Sequence, residues 1–139
     1  MIDSMTFHET RLRVRYAETD QMGVVYYSNY LIWMELGRVE FCRSAGLRYR
    51  DMEEEDGVVL AVAEAICRYL RPARYDDEII VKTWVAEFGS RAMTVAYEIR
   101  HADTNQVLAT GQTKHVFCDT NLKPCKLPAK YHQYFKPAL

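Results

Sequence analysis

The sequence lacks most of the features that would place it in several large functional classes. It has no basic excess: 18 Lys and Arg stand against 19 Asp and Glu, for a formal net charge of −1. A nucleic acid or an anionic membrane surface demands such an excess, so neither is expected as the main partner. No apolar run approaches the ~18 residues that a membrane-spanning helix needs. The opening MIDSMTFHETRLRVRYAE has no basic segment followed by an apolar one, so no signal peptide is expected. Cys42, Cys67, Cys118 and Cys125 form no CxxC pair, and His8, His101, His115 and His132 stand at no metal-ligand spacing. The reading is reduced thiols in a cytoplasmic protein that needs no metal and no redox cofactor. Nucleophile and phosphate-loop signatures are missing too. In FGSRA, Gly89 directly precedes Ser90, so there is no GxSxG, and neither a Walker loop nor GxGxxG occurs. Internal repeats, linkers and low-complexity segments are absent.

What remains is an ordinary globular composition, 49% hydrophobic and 27% charged. The 139 residues suit a single domain over 1–139, one that buries roughly two-thirds of its unfolded surface without staples.

A strand is expected over TRLRVRY, where Leu12, Val14 and Tyr16 alternate with Arg11, Arg13 and Arg15. A loop with Asp20 and Gly23 follows. Tyr30, Trp33, Met34, Gly37, Phe41 and Ala45 then fall at spacings of three and four, predicting a helix over 28–45 that other structure largely wraps. Gly46 is placed to end it. A short polar helix or loop leads to a long strand over 58–70. One face of that strand reads Val59, Ala61, Ala63, Ala65, Cys67, small enough for something bulky to lie close. Strands over 79–88, 92–101 and 107–118 follow, the last with the small face Val107, Ala109, Gly111, Thr113. The tail LPAKYHQYF suits a terminal helical turn. One helix followed by strands joined through short loops predicts an α+β fold: an antiparallel five-stranded sheet wrapped around a long central helix. Open sheet edges and an apolar outer face predict a dimer or larger assembly.

The stretch AETDQMGVVYYSNYLIWMELGR sets a carboxylate just ahead of this apolar helix. Read alone, Asp20 is a loop residue that closes an Asx turn or caps the helix. Its position supports a second reading. The orphan N–H groups of the helix start, around Val25 to Tyr27, face the same loop with the positive end of the dipole. A carboxylate and unpaired N–H donors around one small space suit acyl transfer. A thioester is the acyl bond best matched to that apparatus, because a thiol of pKa about 8.5 leaves with little help.

The same stretch resembles the signature of 4-hydroxybenzoyl-CoA-type thioesterases, the acyl-CoA hydrolases of the hotdog fold. Asp20, Gly23, Val24, Val25, Tyr26, Tyr27, Asn29, Tyr30 and Trp33 carry the likeness, and the element order extends it over nearly the whole chain. The resemblance implies that Asp20 is nucleophile or general base and that the Tyr27 N–H polarises the thioester carbonyl. It implies a homodimer or homotetramer with sites at the subunit interface. The substrate would be an acyl thioester of CoA or of acyl carrier protein. Gly23, Val25, Trp33, Glu64, Ser90 and Arg91 are the candidate substrate and CoA contacts. Each has a plainer reading: Trp33 as core, Asn29 as a loop orienter, Glu64 as a paired or exposed strand residue, the arginines as solvated surface. Arg68, Arg71 and Arg74 crowd RYLRPAR and are further phosphate candidates. The aromatic-CoA enzymes have a basic run at the hairpin where this chain has only Gly89, Ser90 and Arg91. Two other functions stay open: a non-catalytic acyl-thioester-binding domain, and a hydratase or dehydratase, which would want a His near the motif.

Overall fold

The computed structural model describes residues 6–136. Strand β1 covers Phe7–Arg13, helix α1 Asn29–Ser44, helix α2 Tyr49–Asp56 and strand β2 Val59–Tyr69. Strands β3, β4 and β5 cover Glu78–Phe88, Ala92–His101 and Val107–Cys118, and a terminal turn α3 covers His132–Phe135. The strands form one sheet in the order β1-β3-β4-β5-β2, with antiparallel pairing throughout. This is the expected sheet and central helix. Among the described residues no helix is long and apolar enough to cross a membrane.

Contact between α1 and the sheet depends on missing side chains at two places. A β-carbon on Gly37 would lie 2.5 Å from Thr83 Oγ1 and 2.8 Å from Val81 Cγ1 on β3. One on Gly111 would run into the Met34 thioether and lie 2.6 Å from the Ile66 carbonyl oxygen. The small face of β5 is therefore the seat of Met34, which is fully buried. Overpacking at such a contact costs roughly 1–3 kcal/mol.

Several expectations are corrected. The first strand ends at Arg13, before Tyr16, because its β3 partner begins at Glu78. The chain then turns through a 3-10 segment, Tyr16–Glu18, and Tyr16 is 77% exposed. The alanine row of β2 is not one face. A register shift between Val62 and Glu64 breaks the alternation, so Leu60 opposes core Phe117 while Ala65 and Cys67 oppose Thr113 and Gly111. Nor is α1 wrapped on all sides: Tyr30, Trp33, Met34, Gly37, Phe41 and Cys42 are buried, whereas Leu31, Ile32 and Leu36 are exposed in the single chain. Ala45 is exposed as well.

A polar chain crosses the core beneath α1. Arg38 Nη1 donates to Tyr97 Oη at 3.1 Å, Tyr97 Oη lies 2.7 Å from Thr113 Oγ1, and Thr113 Oγ1 lies 2.7 Å from His115 Nε2. His115 is fully buried, and among the described residues its Nδ1 has no partner. Burial, and secondarily the Arg38 charge, push its pKa down to about 4 from 6.5. The folded state thus holds His115 neutral where the unfolded state protonates it. The stability this confers is complete above pH 6.5 and is lost as pH falls toward 4. The expected loss is about 3 kcal/mol. Urea unfolding at pH 7, 5.5 and 4 checks it: His115→Gln should flatten the acid slope. Parallel slopes for wild type and variant would refute the assignment.

Candidate active site

The loop after β1 is a miniature hairpin. Asp20 N–H donates to Val24 O at 2.9 Å, Gly23 N–H to Asp20 O at 3.0 Å, and Thr19 bridges to Val25. Gly23 takes φ +80° at the left-handed position such a loop requires. Nothing lies within 4 Å of where its β-carbon would be, so conformation and not space fixes the glycine.

Asp20 closes a turn and also lines a cleft. Its Oδ1 accepts Met22 N–H at 2.8 Å, closing an Asx turn. No partner is found for Oδ2 among the described residues. The carboxylate lines a cleft of about 530 Å³ together with Val25, Tyr26, Tyr27, Tyr30, Tyr69 and Arg71.

The other wall of the cleft is the start of α1, which has no capping side chain. Tyr26 N–H donates to Glu18 O at 2.8 Å, Asn29 N–H to Tyr26 O at 3.0 Å, and Tyr30 N–H to Tyr27 O at 3.3 Å. For the N–H groups of Tyr27 and Ser28 no acceptor is found among the described residues. They are orphan donors at the positive end of a 16-residue helix. Tyr27, to which the resemblance assigns the carbonyl, is one of these two residues.

Tyrosines shape the rest of the cleft. Tyr69 Oη donates to Tyr27 O at 3.0 Å, and Tyr30 Oη accepts Ala73 N–H at 3.2 Å, tying the end of β2 and the following turn to α1. Tyr30 and Tyr69 meet edge to face at 5.0 Å between centroids. Burial, with smaller contributions from Cys67, Tyr30 and Tyr27, pushes the Tyr69 pKa up to about 12. Tyr26 is raised chiefly by its hydrogen bond with Tyr27.

The remaining candidates divide. Val25 is buried at the cleft floor. Trp33 does not reach the cleft: it is 2% exposed, and its indole N–H donates to Glu18 Oε2 at 3.0 Å. Asn29 orients the loop, its Nδ2 donating to Glu18 O at 2.9 Å. Glu64 is exposed on β2, opposite Lys114 and away from the cleft. Ser90 and Arg91 are exposed in the β3–β4 hairpin. That hairpin adjoins the C-terminal half of β5, whereas the cleft lies by Tyr69, paired with Ala109 near the start of β5. Arg68 lines a separate depression on the outer sheet face. Of the basic candidates, Arg71 alone lines the cleft. Sequence reading passed over Glu18 and Tyr69. The only available signal for Tyr69 was its two-residue spacing from Cys67.

With this geometry in view, the comparisons with known proteins are decisive on family. Residues 14–135 match the Thioesterase-like superfamily. The chain belongs to that family. It is 39% identical over 95 residues to the putative acyl-CoA thioesterase YneP of Bacillus subtilis, covering 68% of each chain. It is 29% identical over 125 residues to the acyl-CoA thioesterase YbgC of Haemophilus influenzae, covering 89% of this chain and 90% of that one. A DHNA-CoA thioesterase structure from Staphylococcus aureus superposes with TM-score 0.87 at 30% identity, over 92% of this chain and 87% of the other. The hotdog fold and the thioesterase resemblance read from the sequence are thereby confirmed.

Proposed function

We propose that this thioesterase-family chain hydrolyses an acyl-CoA-type thioester to a carboxylic acid and a free thiol. The observation that carries the reading is that Asp20, one of whose carboxylate oxygens has no partner among the described residues, lines one tyrosine-rich cleft together with an uncapped helix start. Asp20 attacks the thioester carbonyl or activates water. The Tyr27 N–H polarises that carbonyl and holds the developing oxyanion, aided by the helix dipole. The names of the YneP and YbgC relatives support CoA as the carrier. An acyl-acyl carrier protein thioesterase of Arabidopsis thaliana, 28% identical over 129 residues, keeps acyl carrier protein as the second carrier to test.

The site is read as one built between subunits. Strand β2 is a free edge of the sheet. Exposed Val62 and Ile66 on it, and Leu31, Ile32 and Leu36 on α1, suit the covering a second copy would give. A second chain is also the route by which Ser90, Arg91 or Glu64 would approach a cleft they do not line in their own chain. Light scattering at micromolar concentration should give at least twice the 16.3 kDa chain mass. A stable, active monomer would overturn the shared site. The activity is tested by free-thiol release over a panel of acyl-CoA and acyl-acyl carrier protein substrates. Release from at least one of them is expected. Binding without release would favour a non-catalytic acyl-thioester domain.

A further inference from the structure

We propose that Glu18 is a positioning residue that holds the Asp20 loop and the Tyr27 donor in register; the inference rests on the proposed function.

Glu18 is 5% exposed, although it belongs to a three-residue 3-10 turn in a connecting segment. A buried carboxylate is costly unless its oxygens are satisfied, and here both are. Oε1 accepts Arg15 N–H at 2.8 Å. Oε2 accepts the Trp33 indole N–H at 3.0 Å and the Arg15 guanidinium at 3.4 Å. Burial alone would raise its pKa, but the Arg15 amide, the Trp33 indole and the Arg15 guanidinium together hold it below the usual carboxylate range. Glu18 therefore stays charged inside the fold.

Its backbone carbonyl is as occupied as its side chain, accepting Tyr26 N–H at 2.8 Å and Asn29 Nδ2 at 2.9 Å. One residue thus grips α1 at Trp33, at Asn29 and just ahead of the helix at Tyr26. Its neighbour Thr19 opens the hairpin that presents Asp20. Since Glu18 O consumes the Tyr26 N–H, the orphan donors begin at Tyr27. Loop and oxyanion donors are thereby referenced to one anchor. A shift of the loop against the helix would move carboxylate and donors apart, and displacements near 1 Å cost about a hundredfold in rate.

The test uses Glu18→Gln and Trp33→Phe in the full chain. The Gln amide sets an N–H donor against either the Trp33 N–H or the Arg15 N–H. Trp33→Phe removes one donor and keeps ring bulk, which leaves a second variant if Glu18→Gln folds poorly. The expected result is a kcat loss of about thirtyfold or more in Glu18→Gln, with KM within about threefold. Trp33→Phe should lose less in the same direction. Because Glu18 acts through Asp20, adding Glu18→Gln to Asp20→Asn should cost no more than about twofold further. A kcat within about threefold of wild type, or a loss that multiplies fully onto Asp20→Asn, overturns the proposal.

A readout independent of turnover separates this from failure of the thioesterase reading. The chain has two tryptophans, so the Trp33 indole N–H resonance is identified by its loss in Trp33→Phe. In Glu18→Gln it should shift, and exchange of the Tyr26 amide should accelerate. An unmoved resonance with unchanged exchange overturns the anchor whatever the activity. If wild type cleaves no thioester, or if Asp20→Asn is fully active, the proposed function falls, and the resonance and exchange still decide whether Glu18 holds the loop.

Discussion

Asp20→Asn should lower turnover at least about a hundredfold, the low end for a positioned acid–base group, while leaving the fold in place. The two halves of this expectation come from the two carboxylate oxygens. Oδ1 accepts the Met22 N–H, and an asparagine carbonyl oxygen can accept the same bond. The Asx turn survives, and with it the loop geometry. The other oxygen has no partner among the described residues and is the one proposed to attack or to take a proton from water. Replacing it with an amide nitrogen removes both abilities at nearly constant volume. The check is kcat on an acyl-CoA substrate beside a thermal unfolding curve. A variant that unfolds near the wild-type temperature with kcat down a hundredfold fits the mechanism. Near-normal hydrolysis would remove Asp20 from it. Glu64→Gln would then be the next variant, although Glu64 does not line the cleft of its own chain.

The parts of this site that were legible in the sequence are those that local chemistry dictates. Asp20 and Gly23 announce a tight loop, and the spacing of Tyr30, Trp33, Met34, Gly37 and Phe41 announces a buried helix face. Joined, they set a carboxylate just ahead of a helix start. The strands from β3 onward were legible to within about a residue because their hairpins are short. What stayed hidden is non-local. Glu18 carries no signal in the sequence because its burial depends on an indole N–H fifteen positions later. Trp33 reads equally well as pocket wall or core, and only the Glu18 contact decides for core. The irregularity between Val62 and Glu64 left no glycine or proline to mark it, so the alanine row looked continuous. Tyr16 was drawn into the first strand by its alternation, but β1 follows the length of its partner.

Hydrolysis should favour a thioester over its oxygen-ester analogue by at least about a hundredfold in kcat/KM, the contribution a general acid would otherwise supply. The comparison substrate is an acyl-CoA whose thioester sulfur is replaced by oxygen. Phosphates and pantetheine are unchanged, so binding is nearly matched and the ratio reports the leaving group. A thiolate, from a thiol of pKa about 8.5, departs without a proton. An alkoxide does so far less readily, because its conjugate acid is much weaker. A proton donor in the cleft would close that gap, and beside Asp20 itself and the permanently charged Arg71 the described lining offers tyrosines. Tyr69 is pushed up to about 12 by burial, Tyr30 is raised by burial, and Tyr26 is raised by its bond to Tyr27. Phenols so shifted lie far from the pKa near operating pH that efficient acid catalysis requires. His115 is no substitute: it is sealed beneath α1 on Thr113, does not line the cleft, and is neutral at pH 7. Equal rates on the two substrates would mean that a proton does reach the leaving oxygen. Tyr27 would then be the first residue to replace with Phe, because it is 60% exposed at the cleft and its backbone N–H is the proposed donor to the carbonyl.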